Sequence, residues 1–164
     1  MTRHRFAANT DVPVERSRAE IERLIIRYGA TETGFYNAAD KAVILFTSHS
    51  RRVMFELPLP RKDDKRFTHY RAGGGCRLIA RSPESAAKAW EQACRTAWRA
   101  LGLVIKGKFE AIESKITDFE SEFLNNIILP DGQSVGAHVR PQIAAMYSTG
   151  KMQPLLPSLK QASP

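Results

Sequence analysis

The feature that most restricts how this chain can fold is one apolar stripe in its second half. Ala87, Trp90, Cys94, Ala97, Trp98, Leu101, Val104, Ile105, Phe109 and Ile112 recur with a helical period. Ser82-Pro83-Glu84 opens the stripe with a capping serine, a proline at the first helical position and an acid in the first turn. The spacing predicts a helix over 83–114, which at 1.5 Å per residue runs about 45 Å. Gly102 and Gly107 weaken it and mark where it can bend.

An apolar face of that length needs a partner surface, and the first sixty residues supply one. Ser17-Arg18-Ala19-Glu20 reads as a capping box, with Ile21, Leu24, Ile25 and Tyr28 on one helical face and Gly29 at its end. The helix expected is 17–28, with an earlier start at Pro13 as the alternative. A strand meander follows over 31–60. Its first strand, 31–36, is weakened by Gly34. The second, 42–48, is apolar on both faces and therefore central. In the third, 52–57, Val53, Phe55 and Leu57 alternate with Arg52, Met54 and Glu56. Asn37-Ala38-Ala39-Asp40 and Ser48-His49-Ser50-Arg51 read as turns, and Pro58 and Pro60 end the third strand. Such short links favour antiparallel pairing. Residues 76–80 are a candidate fourth strand at a sheet edge.

After the long helix, Thr117-Asp118-Phe119-Glu120 reads as a second capping box, with Phe119, Phe123 and Leu124 inward. Pro130-Asp131-Gly132 is a turn, and Ser134 can cap a short element. Residues 141–148 read as a last helix with Ile143, Met146 and Tyr147 on one face and Gly150 closing it. Leu155 and Leu156 are candidates to dock the tail, 151–164, whose remainder should fray. The fold class expected is α+β. A three- to four-stranded antiparallel sheet packs on the N-terminal helix and the long central helix, with a helical C-terminal part over 117–149. All of it forms one domain, 1–150.

With 164 residues, 43% apolar and 26% charged, such a chain can bury a core without disulfides or metals. Its two cysteines, Cys76 and Cys94, suit reduced thiols rather than a disulfide framework. Residues 1–11 are basic and polar and lack the apolar centre of a signal peptide. No apolar run approaches the ~20 residues that span a bilayer. The expectation is a cytoplasmic protein without membrane contact. A net charge of +8 and a pI near 9.8 favour acidic partners.

That charge is concentrated. Residues 51–81 hold nine Lys/Arg against three acids, Glu56, Asp63 and Asp64, which leaves six of the eight net positive charges there. Phosphates attract cations, and bases stack on rings. In the basic loop, 61–77, Arg61, Lys62, Lys65, Arg66 and Arg71 are therefore candidate phosphate contacts. Phe67 and Tyr70 are candidates to stack on bases, and the same rings can equally pin the loop to the core. On the long helix, Lys88, Gln92, Arg95, Arg99, Gly102 and Lys106 form a second stripe, opposite the side of Trp90, Trp98 and Ile105. Arg95 and Arg99 would assist from there, although a solvated helix face accounts for the same pattern. Trp90 and Trp98 read as core.

Catalytic signals are missing. Gly73-Gly74-Gly75-Cys76-Arg77 lacks the Gly-Lys-Ser/Thr ending of a phosphate-binding loop and reads as a hinge. His4, His49, His69 and His138 are isolated, and neither cysteine has a neighbour at ligand spacing, so no metal or cofactor is expected. There is no Gly-x-Ser-x-Gly. Asp40 and Glu56 sit as they would in half of a metal-dependent nuclease, but Pro58 stands where that pattern has its lysine. The element order is also that of double-stranded RNA-binding domains. Here, however, the second helix opens on acidic Ser82-Pro83-Glu84-Ser85 instead of lysines. The chain is not expected to be an enzyme.

Glu15-Arg16-Ser17-Arg18-Ala19-Glu20-Ile21-Glu22 with Tyr28-Gly29-Ala30 is one familiar segment. Others are Trp98-Arg99-Ala100-Leu101 through Phe119-Glu120-Ser121-Glu122-Phe123-Leu124, Leu129-Pro130-Asp131-Gly132, and Leu155-Leu156-Pro157. On these the chain resembles small uncharacterised proteins encoded by tailed bacteriophages and prophages, over most of its length outside 61–77. The group has no assigned activity, so the resemblance implies no site residues. It implies a context, the bacterial cytoplasm during infection, where small basic proteins serve nucleic-acid metabolism or counter host defences. The function expected is that of a non-enzymatic, phage-encoded nucleic-acid-binding accessory protein. The alternative is a phage protein that binds and inhibits or redirects a host protein, its basic loop meeting an acidic surface. A virion component is less attractive without repeats or a long coiled coil.

Overall fold

The computed structural model describes residues 10–71 and 77–156. Residues 1–9, the glycine run at 73–75, Cys76 and residues 157–164 lie outside them. Strands β1 (Glu32–Asn37), β2 (Lys41–Ser48) and β3 (Arg51–Pro58) form the expected antiparallel meander in that order. Along β2 the side chains of Ala42, Ile44, Phe46 and Ser48 are buried while those between are half-buried, so one face of the sheet carries the core. The β2–β3 turn places His49 at φ 51 and Ser50 at φ 58, the left-handed pair that a two-residue hairpin requires and that Asn-Gly usually supplies. Here side chains hold it. Ser48 Oγ lies 2.9 Å from His49 Nδ1, and the His49 ring stacks on Phe119 with centroids 4.4 Å apart.

Helix α1 (Val14–Arg27) takes the alternative start, with Pro13 at its N-terminal cap. The expected capping box does not form, because the earlier start puts Ser17 inside the helix; Glu20 pairs instead with Arg16 (3.2 Å) and with Arg99 of the long helix. Ser17 is an interior residue whose amide donates to Pro13 O at 3.1 Å. It is 2% exposed, and its hydroxyl has no hydrogen-bond partner among the described residues. A buried hydroxyl left unpaired costs about 1–3 kcal/mol.

The long helix, here numbered α3 (Pro83–Glu113), runs as one element through both glycines, with Ser82 Oγ accepting from the Ser85 amide at 3.2 Å. Cys94, Trp98, Leu101, Ile105 and Phe109 are buried. Ala87 and Val104 are exposed and Trp90 is half-buried, contrary to the stripe read from spacing. Val104 lies ~100° around the helix from Ile105, outside the arc that α1 and the sheet cover. Tyr28 of α1 stacks on Phe109 at 4.6 Å.

Beyond α3, helix α4 (Phe119–Phe123) is capped by Asp118 and not by Thr117. Asp118 accepts from the Ser121 amide at 2.9 Å and from its hydroxyl at 2.7 Å. Phe119 and Phe123 point inward, but Leu124 is exposed. The chain then runs beside β3. Asn126 Nδ2 donates to Met54 O (2.9 Å), the Ile128 amide donates to Arg52 O (2.8 Å), and Val53 bridges Ile127. This segment takes a sheet edge, and the strand expected there from 76–80 pairs elsewhere. Helix α5 (Val135–Thr149) begins at the Ser134 cap and carries Pro141 inside it, where a start at Pro141 was expected. Gly150, at φ +68, closes it. Its face does not point inward: Ile143 and Tyr147 are exposed, as are Leu155 and Leu156 of the tail. No described helix is long and apolar enough to cross a membrane.

Two measurements check this packing. A Cβ added at Gly136 would lie 2.8 Å from the backbone oxygen of Asn125, as well as 2.0 Å from its side-chain oxygen. The side chain can turn away; the carbonyl cannot. Gly136→Ala should therefore destabilise by about 1–3 kcal/mol. Gly107→Ala, where nothing lies within 4 Å, should stabilise by about 0.5–1 kcal/mol. Equal urea midpoints for the two variants would contradict this. The second check is acid. The Ser121 amide and hydroxyl hold the Asp118 carboxyl below the ordinary range, and the Gln133 amide, with His138, does the same for Asp131. A carboxyl with a depressed folded value stabilises above its unfolded value and loses that contribution as pH falls through the folded one. Unfolding midpoints should therefore drop as pH is lowered below about 4, and Asp118→Asn should show a shallower drop.

Candidate functional site

The basic segment is attached to the fold at Trp90. After Pro58-Leu59-Pro60 leaves β3, the indole N–H of Trp90 donates to Pro60 O at 2.6 Å. The Lys62 ammonium sits 4.3 Å above the same ring. The half-buried Trp90 is therefore the seat of the segment and not part of the central core. The Asp64 carbonyl then accepts from the Phe67 and Thr68 amides at 2.9 and 3.2 Å, which winds a short helical turn, α2 (Lys65–Thr68). Strand β4 (His69–Arg71) follows at once and pairs with β5 (Leu78–Ala80), matching His69 with Ala80, Tyr70 with Ile79 and Arg71 with Leu78. What the sequence presents as an irregular loop is thus a helical turn and a separate two-stranded sheet.

Within that unit the expected contacts Arg61, Lys62, Lys65, Arg66 and Arg71 divide into three groups, which Arg77 and Arg81 join. Some are paired locally: Arg61 grips Asp63 through two bonds (3.1 and 2.8 Å), and Arg66 meets Asp64 at 3.1 Å. The Arg61 guanidinium holds the Asp63 carboxyl below its usual range, and Asp63 in turn raises Arg61. Others lie on rings: Lys62 on Trp90, Arg66 also over Phe67 at 4.6 Å, and Arg81 over Tyr70 at 5.5 Å. Lys65, Arg71 and Arg77 are exposed and make no ion pair with any described residue. Register pairs Arg71 with Leu78, so Arg77, the residue before Leu78, lies at the same end of the β4–β5 pair, while Arg81, whose amide donates to Thr68 O at 2.7 Å, sits at the other.

The two candidate stacking rings part company. Phe67 is 5% exposed and pins the segment onto the fold, so its face is closed to a base. Tyr70 is 43% exposed and presents its ring with the Arg81 guanidinium over it.

The α3 stripe is not opposite the core but along the flank that α1 covers. Arg99 pairs with Glu20, whose carboxyl Arg99 and then Arg16 hold low against the opposing effect of burial. Arg95 donates to Gln92 Oε1 at 3.0 and 2.5 Å, and Gln92 Nε2 donates to Thr10 O. One groove of about 670 Å³ joins stripe and segment. Its floor is Ala89, Ala93, Thr96 and Ala100, with Arg66 and Pro58-Leu59-Pro60 on one side and Gln92 on the other. Arg95 is next to that groove through Gln92, whereas Arg99 and Lys106 line a different cavity.

Arg77 and Arg81 belong to the basic run in the sequence, but only strand register shows that they frame Tyr70. Among the described residues no three His, Cys, Asp or Glu side chains gather into a metal-sized cluster. Burial pushes the Cys94 thiol up, which leaves it a poor nucleophile. No family model matches the chain, and no curated protein or solved structure matches it.

Proposed function

We propose that this chain is a non-enzymatic nucleic-acid-binding accessory protein, encoded by a phage, that engages the polynucleotide through α2 and the β4–β5 pair. The observation that carries the reading is a set of cations in one short unit that make no ion pair with any described residue, Lys65, Arg71 and Arg77, together with Lys62 and Arg81 on aromatic faces. Such cations displace the counterions condensed on phosphates at no cost in broken ion pairs. Tyr70 adds an open ring between them. Arg66, Arg95 and the groove extend the surface, and the resemblance to phage proteins supplies the context.

Fluorescence anisotropy with labelled DNA and RNA, titrated with salt, tests this. Affinity should fall linearly with salt on logarithmic axes. Lys65→Ala/Arg71→Ala/Arg77→Ala should lower the slope by about 2–3 and weaken binding roughly 100-fold near 0.1 M salt. Arg99→Ala, which removes a cation already paired with Glu20, should leave the slope unchanged. Parent-like binding by the triple variant would end the assignment.

A second reading has its own support. Ile143 and Tyr147, one turn apart on α5, and Met152, Leu155 and Leu156 after it are all exposed, and exposed apolar side chains gathered on one face mark protein-binding surfaces. On this reading the chain inhibits or redirects a host protein. A partner captured from bacterial lysate that survives nuclease treatment and is lost with Tyr147→Asp would favour it.

A further inference from the structure

A cavity of about 290 Å³ lies between α1 and α3, and none of its lining residues comes from α2, β4 or β5. Three features meet in its wall, two that weaken folding and one that leaves a charge to spare. The first is Ser17, whose buried hydroxyl lacks a partner among the described residues. The second is Gly102, in the middle of a helix, where glycine is unfavourable. A Cβ there would come no closer than 3.4 Å to Ile21, an ordinary contact. Packing does not demand the glycine, and its missing side chain leaves the wall hollow. The third is Lys106, exposed and with no ion pair to any described residue, although Glu20 lines the same cavity.

Between these groups the lining is apolar, with Leu24 and Trp98 among its members. Arg99 and Lys106 against Glu20 leave one net positive charge. The opening is lined over two turns of α1, from Ser17 to Leu24, about 10 Å at 1.5 Å per residue. A liquid water takes about 30 Å³, so the volume suits an organic molecule of roughly ten heavy atoms.

We propose that this cavity binds a small amphiphilic monoanion, an apolar chain or ring bearing one carboxylate. The apolar body would lie against Trp98 and Leu24 and occupy the hollow at Gly102. The carboxylate would meet Lys106 and the Arg99 side of the Glu20 pair. Rotation of Ser17 about its Cα–Cβ bond would let the orphan hydroxyl donate to an acceptor on the ligand. Binding here is independent of polynucleotide binding at β4–β5.

The test is titration of the full chain with sodium octanoate, and in parallel with 1-octanol and octylammonium, following amide shifts by NMR. Octanoate should saturably shift residues 17–24 and 98–106, with a Kd of about 1 mM or below for ten heavy atoms. Lys106→Glu, on the exposed rim, should weaken it at least about tenfold. Gly102→Ala, whose methyl enters the cavity, should weaken it while raising Tm. Equal affinity for the three probes, shifts centred on α5, or no saturable shift up to about 10 mM would each overturn the proposal.

Discussion

Phe123 touches four other rings. It meets Phe46 and Phe55 of the sheet edge-on at 5.8 and 6.1 Å, Phe109 of α3 at 5.1 Å, and Phe119 of its own helix at 4.8 Å. It is fully buried. Each such pair adds about 0.5–1.5 kcal/mol beyond area burial, so this one side chain ties sheet, long helix and C-terminal part together. Tyr28 stacked on Phe109 brings α1 into the same cluster, and His49 stacked on Phe119 brings in the β2–β3 turn. The left-handed turn at His49 and Ser50 therefore depends on aromatic packing where other hairpins depend on glycine.

Because that cluster grips the later turns of α3, the first turns reach past the sheet. Cys94 is the first buried residue of the helix, and the three turns before it are left to support something else. They support the basic segment, with Trp90 taking both Pro60 O and the Lys62 ammonium. A segment rich in like charges repels itself and lowers the stability of a compact state. The chain tempers this locally with Asp63 and Asp64, which neutralise Arg61 and Arg66, and with ring faces under Lys62 and Arg81. Lys65, Arg71 and Arg77 are left over, and they lie where α2 and the β-pair hold them away from the core.

Signals contained within a few residues were legible in the sequence. Ser82-Pro83-Glu84, the alternation from Val53 to Leu57 and the Gly150 stop each describe what one stretch of backbone does, and the structure has all three. Signals that several partners compete for were not. Glu20 looks like the acid of a capping box, but the helix starts at Val14, and Glu20 pairs with Arg99, distant in sequence. Pro141 resembles a helix start because its missing amide is harmless there, yet Ser134 had already begun the helix. Phe67 and Tyr70 have the same local surroundings in the sequence, and only the winding of α2 decides that one ring is buried and the other open. In the candidate site, the cations were countable in advance, but which of them keep their charge unpaired was not.

The α3 stripe shows why counting is insufficient. Periodicity places Lys88, Arg95, Arg99 and Lys106 in a line, and a straight, isolated helix would present them as one cationic edge. Helix α1 lies across that line, with Ile21 over Gly102 and Glu20 on Arg99. Arg99 is thereby spent on joining two helices, and Lys106 faces the cavity between them, while Arg95 stays beside the groove through Gln92. The net charge of +8 still attracts an anion from a distance, since the far field depends only on the sum. Close contact with a polynucleotide depends instead on side chains that can change partners without breaking an ion pair, and in the unit of α2 and β4–β5 Lys65, Arg71 and Arg77 pair with no described carboxylate. One helix therefore keeps two flanks with different chemistry, one ordered by a carboxylate from α1 and the other floored by alanines and a threonine beside the cationic unit.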